Sequence, residues 1–396
     1  NIMRALLILL IAVSVSSLVI RSPLRKSPSL RKKLIEENKW EQYSIERNLR
    51  GANGTSAYAV GEPLMDYLDE YYTAEVSFGT PYQNFSLLMH TGSSNTWVIN
   101  SACTTQICKG TPTSGHTKNL FDTSASSTYN GTAEKYRIGF ASTETQGIAA
   151  YDRVFFSGLQ FANQGFGLIT SLATQYGEQP IDGIFGLGWP LLAVDKLTPP
   201  LWNVLDQLDR PLFTIWLDRH TTPQQGVSGG LLTYGAIDTV NCDSAIDYVP
   251  LTAQSYWGFQ ITGFSLGTYT STATEHVISD SGTAFIGAPK NVVNAIVAQT
   301  GAKYDFILKL YVVPCTNTLT DMTFTINGKN YPIPASEYVL DLGIGGGTCA
   351  LALFTMEGAG LSPDWILGIP WVRTYCQVYD VGQARIGVTK AHHTEI

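Results

Sequence analysis

From Tyr71 onward, apolar and polar positions alternate over short runs, each closed by Gly, Pro, Asn or Asp. Runs at 72–78, 85–89, 136–140, 152–156, 213–217, 231–234, 323–326 and 384–388 read as strands. Helical periodicity is scarce. The best case is 289–300, with Pro289 in the first turn, Val292, Val293, Ile296 and Val297 on one face, and Gly301 as the stop. A weaker helix is expected at 200–208. Upstream, Ser29 caps a helix with Leu30, Leu34, Ile35, Trp40 and Tyr43 as apolar positions. A Gly- and Ala-rich stretch at 51–61 reads as a cleavable linker. The pattern predicts a mostly β protein of two lobes, with a boundary near 236–245.

The chain has 396 residues, 44% of them hydrophobic and 14% charged, which suits packed cores. Residues 1–50 carry ten Lys and Arg against four Asp and Glu, whereas residues 51–396 carry 15 against 28. A basic head on an acidic body excludes nucleic acid as the expected partner and fits a head that docks on its own body. Residues 5–15 are apolar behind Arg4, with Ser14 and Ser16 following, which reads as a secretory signal over 1–16. That run is too short to span a bilayer, and no other is longer.

Export makes the six cysteines expected disulfides. Cys103 and Cys108 are close enough to clip one loop, Cys315 and Cys349 to bridge the last third, and Cys242 and Cys376 remain for each other; spacing alone leaves the pairing open. Asn53, Asn84 and Asn130 begin glycosylation sequons.

Two stretches share one grammar. Residues 87–93, Leu-Leu-Met-His-Thr-Gly-Ser, run an apolar strand into a tight turn, and Trp97 follows. Residues 277–283, Val-Ile-Ser-Asp-Ser-Gly-Thr, do the same. Each is followed downstream by an apolar-apolar-Gly strand, Asp182-Gly-Ile-Phe-Gly186 and Trp365-Ile-Leu-Gly368. Paired turns of this kind bring one carboxylate from each lobe to a shared site. Two close carboxylates sharing one proton activate a water against a peptide carbonyl in acid, because both cannot ionise side by side.

On these residues, and on Thr73-Ala-Glu-Val-Ser-Phe-Gly-Thr-Pro81, Phe121-Asp-Thr-Ser-Ala-Ser-Ser-Thr-Tyr129, Tyr256-Trp257 and Phe324-Thr-Ile-Asn-Gly-Lys-Asn-Tyr-Pro332, the chain resembles the pepsin and cathepsin D family of aspartic peptidases over nearly its whole length. The resemblance implies a bilobal β fold with a central peptide cleft and a β-hairpin flap, no cofactor or metal, a monomer, and residence outside the cell or in the lysosomal or endosomal lumen. The implied division is a signal at 1–16, a pro-segment at 17–60, an N-terminal lobe at 61–238 and a C-terminal lobe at 239–396. At least two cysteine pairs stand where the family has them.

Carried over residue by residue, the match is uneven. Asp280 corresponds to the second catalytic aspartate. Thr91 and Ser281 correspond to hydroxyls bonded across the lobes, Ser93 and Thr283 to hydroxyls that orient the carboxylates, Gly92 and Gly282 to the turn glycines, and Trp97 to the tryptophan behind the flap. The first catalytic aspartate is His90. In the flap, 136–144, Phe140 stands for the usual tyrosine and Ala141 for the following glycine, with Ser142 next. Ile369 replaces an aspartate frequent after the second Leu-Gly, and Ala57 stands where a lysine plugs the site. An imidazole has one acceptor when neutral and none when protonated, and a protonated ring beside a carboxylate is attracted where a second acid would be repelled. The expectation is a proenzyme-like homologue with reduced or absent proteolysis and a cleft that holds a peptide or unfolded protein. Two alternatives stand beside it: an active endopeptidase using Asp280 with His90 as electrostatic partner, and a structural or storage protein without a ligand. Gly226-Val-Ser228-Gly-Gly230 fits a serine-hydrolase elbow but is followed by a strand pattern where a helix is required. Gly343-Ile-Gly-Gly-Gly-Thr lacks the Lys of a phosphate loop. His116, His220, His276, His392 and His393 lack metal-ligand spacing.

Overall fold

A computed structural model describes residues 20–27, 71–114, 116–140, 143–218, 228–356 and 363–393. The expected signal, the Ser29 helix, the 51–61 linker with Asn53 and Ala57, the flap-tip residues Ala141 and Ser142, the Phe140 side chain, His220 and Gly226 lie outside the described residues.

The fold is mostly β and bilobal. A 13-stranded sheet orders its strands as Asp247–Pro250, Arg385–Lys390, Tyr375–Asp380, Leu212–Leu217, Ser228–Tyr234, Ile20–Ser27, Tyr71–Phe78, Gln83–His90, Gly183–Gly186, Trp97–Ile99, Leu159–Ser171, Thr143–Phe156 and Asn130–Phe140. Ile20–Ser27, from the expected pro-segment, is a central strand of it, antiparallel to both Ser228–Tyr234 and Tyr71–Phe78. A five-stranded sheet in the second lobe runs Gly258–Ile261, Glu275–Ser279, Trp365–Leu367, Ile286–Pro289 and Leu353–Met356.

The two lobes repeat one unit. Gln83–His90 lies parallel to Gly183–Gly186, which lies antiparallel to Trp97–Ile99. Glu275–Ser279 lies parallel to Trp365–Leu367, which lies antiparallel to Ile286–Pro289. Each unit fixes its turn at the end of a strand buried on both faces. Phe85, Leu87 and Met89 pack into the main core, while Leu88 points the other way into a second core with Trp97 and Ile184. That double burial explains why the run into His90 is continuously apolar rather than alternating. Gly368 is required where it stands, because a Cβ there would lie 2.2 Å from the carbonyl oxygens of Thr283 and Phe285.

The helix Lys290–Thr300 starts after Pro289 and stops at Gly301, whose φ of 68° is left-handed, as the sequence indicates. The weaker helix at 200–208 is corrected to a 3-10 helix, Pro200–Gln207, entered through consecutive prolines. The glycine run at 343–347 is a loop with four left-handed glycines. All three expected cysteine pairs form: Cys103–Cys108, Cys242–Cys376 and Cys315–Cys349.

A polar hub that no sequence spacing announces anchors the first unit. Asp182, fully buried, accepts from the Ser86 N–H at 2.8 Å and from the Asn119 backbone and side-chain amides at 2.9 Å each, and pairs with His116 Nε2 at 2.8 Å. Lys118 donates to the carbonyls of Gln179 at 2.7 Å and Ile181 at 2.5 Å. Burial pulls the Lys118 ammonium down to about 7, against an opposing pull from Asp182. A lysine with a lowered folded value binds fewer protons folded than unfolded, so stability rises with pH between about 7 and its ordinary value of 10.5. The expected outcome is that urea unfolding of the wild type gains stability relative to Lys118→Met as pH rises through that window. A difference constant from pH 6 to 10 contradicts it.

Candidate active site

Thr91 and Ser281, both buried, exchange hydrogen bonds across the lobes. Ser281 N–H donates to Thr91 Oγ1 at 2.9 Å, and Thr91 N–H donates to Ser281 Oγ at 3.1 Å. Each hydroxyl then donates onward, Thr91 to the Ser279 carbonyl at 3.0 Å and Ser281 to the Met89 carbonyl at 2.7 Å. Every polar group at the junction is satisfied, so removing one hydroxyl strands buried partners at about 1–3 kcal/mol each.

This exchange presses the two turns face to face. A Cβ on Gly92 would lie 2.5 Å from Asp280 Cγ, and one on Gly282 would lie 2.3 Å from His90 Nδ1. Only glycine leaves room for the opposing side chain. His90 Nδ1 and Asp280 Oδ1 meet at 3.1 Å.

The two turns do not hold their side chains equally. Asp280 is 4% exposed. Its Oδ1 accepts from Gly282 N–H at 2.8 Å and its Oδ2 from the Thr283 hydroxyl at 2.7 Å. Burial pushes the Asp280 carboxyl up, but the His90 ring, Thr283 and Gly282 outweigh it and hold the group below the usual carboxylate range. On the other turn, Gly92 N–H points at His90 Nδ1 at 3.1 Å. Ser93 departs from its expected role: its Oγ accepts from the Asn95 N–H at 3.4 Å instead of orienting residue 90. The ring presents one nitrogen, already facing Gly92 and Asp280, where a carboxylate would offer a second oxygen to Ser93.

One ring nitrogen cannot accept from Gly92 and donate to Asp280 at once. Accepting from Gly92 requires the intervening proton to sit on the carboxyl. With Asp280 held ionised, the arrangement that satisfies the charges has Nδ1–H donating to Oδ1, leaving the partly exposed Gly92 N–H to solvent.

The dyad floors a cleft of about 340 Å³. Leu88, Ile138, Ile184 and Leu192 line one side, and Ile278, Met356 and Ile366 the other, with Tyr256 near Asp280. The Asp280 charge contributes to raising the Tyr256 phenol, after burial. Trp97 is buried edge-on to Tyr176, ring centroids 5.1 Å apart, and its indole N–H has no partner among the described residues. No group of metal-ligating side chains occurs among the described residues. Arg137 also lines the cleft. Its position one residue after buried Tyr136 on a strand was the available signal.

Because Asp280 is held low, it stabilises the fold above the ordinary carboxylate range near 3.9 and loses that contribution as pH falls through its lowered value. Replacing His90 by Asn removes a lowering influence and lets burial move the carboxyl up. His90→Asn is expected to cost about 1–3 kcal/mol at pH 6, with the deficit shrinking toward pH 2, by urea unfolding. An equal deficit at both pH values contradicts the coupling.

Comparison with known proteins places this geometry. The family model described as eukaryotic aspartyl protease matches residues 71–391, and the A1 propeptide model matches residues 23–43. The chain is 46% identical to aspartic protease 1 of Caenorhabditis elegans over 395 residues, covering 99% of each chain. It is 31% identical to cathepsin E-A of Xenopus laevis, covering 98% of this chain and 97% of the relative. It is also 31% identical to pepsin A of Bos taurus, covering 93% and 98%. With two lobes, facing turns and a propeptide, the chain belongs to the pepsin-like family of eukaryotic aspartyl proteases.

Proposed function

We propose that this protein is a secretory-pathway aspartic endopeptidase homologue, made as a proenzyme, in which the His90/Asp280 dyad leaves proteolysis reduced or absent while the cleft still holds an extended peptide. The observation that carries this is the 3.1 Å contact between His90 Nδ1 and Asp280 Oδ1, at the place where a second carboxylate is needed. Acid proteolysis by two carboxylates needs one of them protonated, to donate to the scissile carbonyl, and one ionised, to take a proton from water. Here Asp280 is held low by the ring it faces together with Thr283 and Gly282, and no second carboxylic acid stands beside it. An apolar cleft lined from both lobes supports peptide binding.

The same contact gives a second reading its footing. A protonated His90 beside ionised Asp280 offers a cation to an oxyanion formed in the cleft, so any remaining activity belongs nearer neutral pH than that of a paired-acid enzyme.

The decisive variant is His90→Asp, alone and with Phe140→Tyr. Wild type incubated with denatured protein at pH 3 is expected to cleave at least about 100-fold more slowly than His90→Asp, the scale on which a missing acid–base group acts. Rapid wild-type cleavage at pH 3 that is abolished by Asp280→Ala rejects the proposal. A wild type that neither cleaves nor binds a statine-type inhibitor rejects the intact cleft.

A further inference from the structure

We propose that Arg137 makes the flap side of the cleft a subsite for an acidic side chain, so that the peptides held there carry Glu or Asp opposite this residue. This deepens the reading of the cleft as a peptide site and rests on it.

Arg137 belongs to the strand Asn130–Phe140 and is among the residues that line the same cleft as the dyad. Its one ion-pair contact among the described residues is weak. Arg137 Nη1 lies 3.8 Å from Glu144 Oε2, with the two side chains 54% and 40% exposed. Exposed pairs of that length hold a guanidinium loosely. That same Glu144 oxygen already accepts from the Gln146 amide at 2.7 Å. Glu144 divides its carboxylate between Gln146 and this long contact, so a closer carboxylate in the cleft competes for the guanidinium.

Charge balance points the same way. Among the described lining residues, the ionisable groups are His90, Asp280, Arg137 and the phenols of Tyr176 and Tyr256. Asp280 is spent on Gly282, Thr283 and His90. Arg137 is then the lining cation that a peptide carboxylate can meet, in a body that is acidic overall. A carboxylate matches its planar fork through two parallel hydrogen bonds, and a lysine is repelled. The carboxylate must be ionised, so the preference is strongest at neutral pH and fades below about pH 4.

Fluorescence anisotropy of the full-length protein with labelled octapeptides tests this. Glu is moved one position at a time through an apolar frame, with Gln and Lys twins at each position, at pH 6.5 and low salt. At one register the Glu peptide is expected to bind roughly ten-fold more tightly than its Gln twin, and the Lys twin more weakly than either. Arg137→Ala should bring Glu down to Gln, and Arg137→Glu should reverse the preference toward Lys. The side chain is exposed, so thermal unfolding of both variants should match the wild type. If the twins bind alike at every register, or if Arg137→Ala keeps the preference, the acidic subsite is overturned while the peptide cleft stands. If no peptide binds, including the neutral frame, the peptide-site reading fails and takes this proposal with it.

Discussion

The reciprocal hydrogen bonds between Thr91 and Ser281 are the constraint on which the rest of the site depends. They join two lobes whose repeated three-strand units have already fixed each turn at the end of a buried strand. Once those hydroxyls are exchanged, residues 90 and 280 have no freedom to avoid each other. The glycines beside them are compressed against the opposing side chain, so whatever occupies position 90 must come to terms with Asp280. The interlobe geometry is thus indifferent to the chemistry it presents. It brings a histidine into contact as firmly as it would an aspartate.

That indifference separates scaffold from reactivity. Coulomb repulsion between two acids keeps one of them protonated, and the proton retained is the one that catalysis uses. Attraction between an imidazole and an acid works in the opposite sense, favouring a proton on nitrogen and a bare carboxylate. The Thr283 hydroxyl and Gly282 amide reinforce the bare form, while Ser93, turned to Asn95, no longer serves residue 90. The first turn keeps its backbone and its link across the lobes, yet its hydroxyl has left the functional side chain.

Much of this was legible in the sequence, and the reasons differ by element. The helix Lys290–Thr300 carried its own start and stop in Pro289 and Gly301. The strand Gln83–His90 showed as an apolar run because both its faces are buried. His90 and Asp280 could be paired in advance because two turns of the same grammar imply a pseudo-symmetric meeting point. Other features were silent. Lys118, His116 and Asp182 converge from positions more than 60 residues apart in sequence, and nothing local marks their burial. Ile20–Ser27 contains charge and a proline, yet is a central strand, because its backbone fills a slot between two strands whatever its side chains prefer. The shift of Ser93 from residue 90 to Asn95 follows from a ring geometry that residue names do not convey.

The location of the proton between His90 and Asp280 decides whether this account holds. Nitrogen-15 NMR of histidine-labelled protein, with the His90 signals assigned by their loss in His90→Asn, reads it directly. The account predicts a proton on Nδ1, hydrogen-bonded to Asp280, from neutral pH down to about pH 5. A bare Nδ1 accepting from Gly92, with the proton carried by the Asp280 carboxyl, would mean that the pair shares a proton as two acids do, and the account would be wrong.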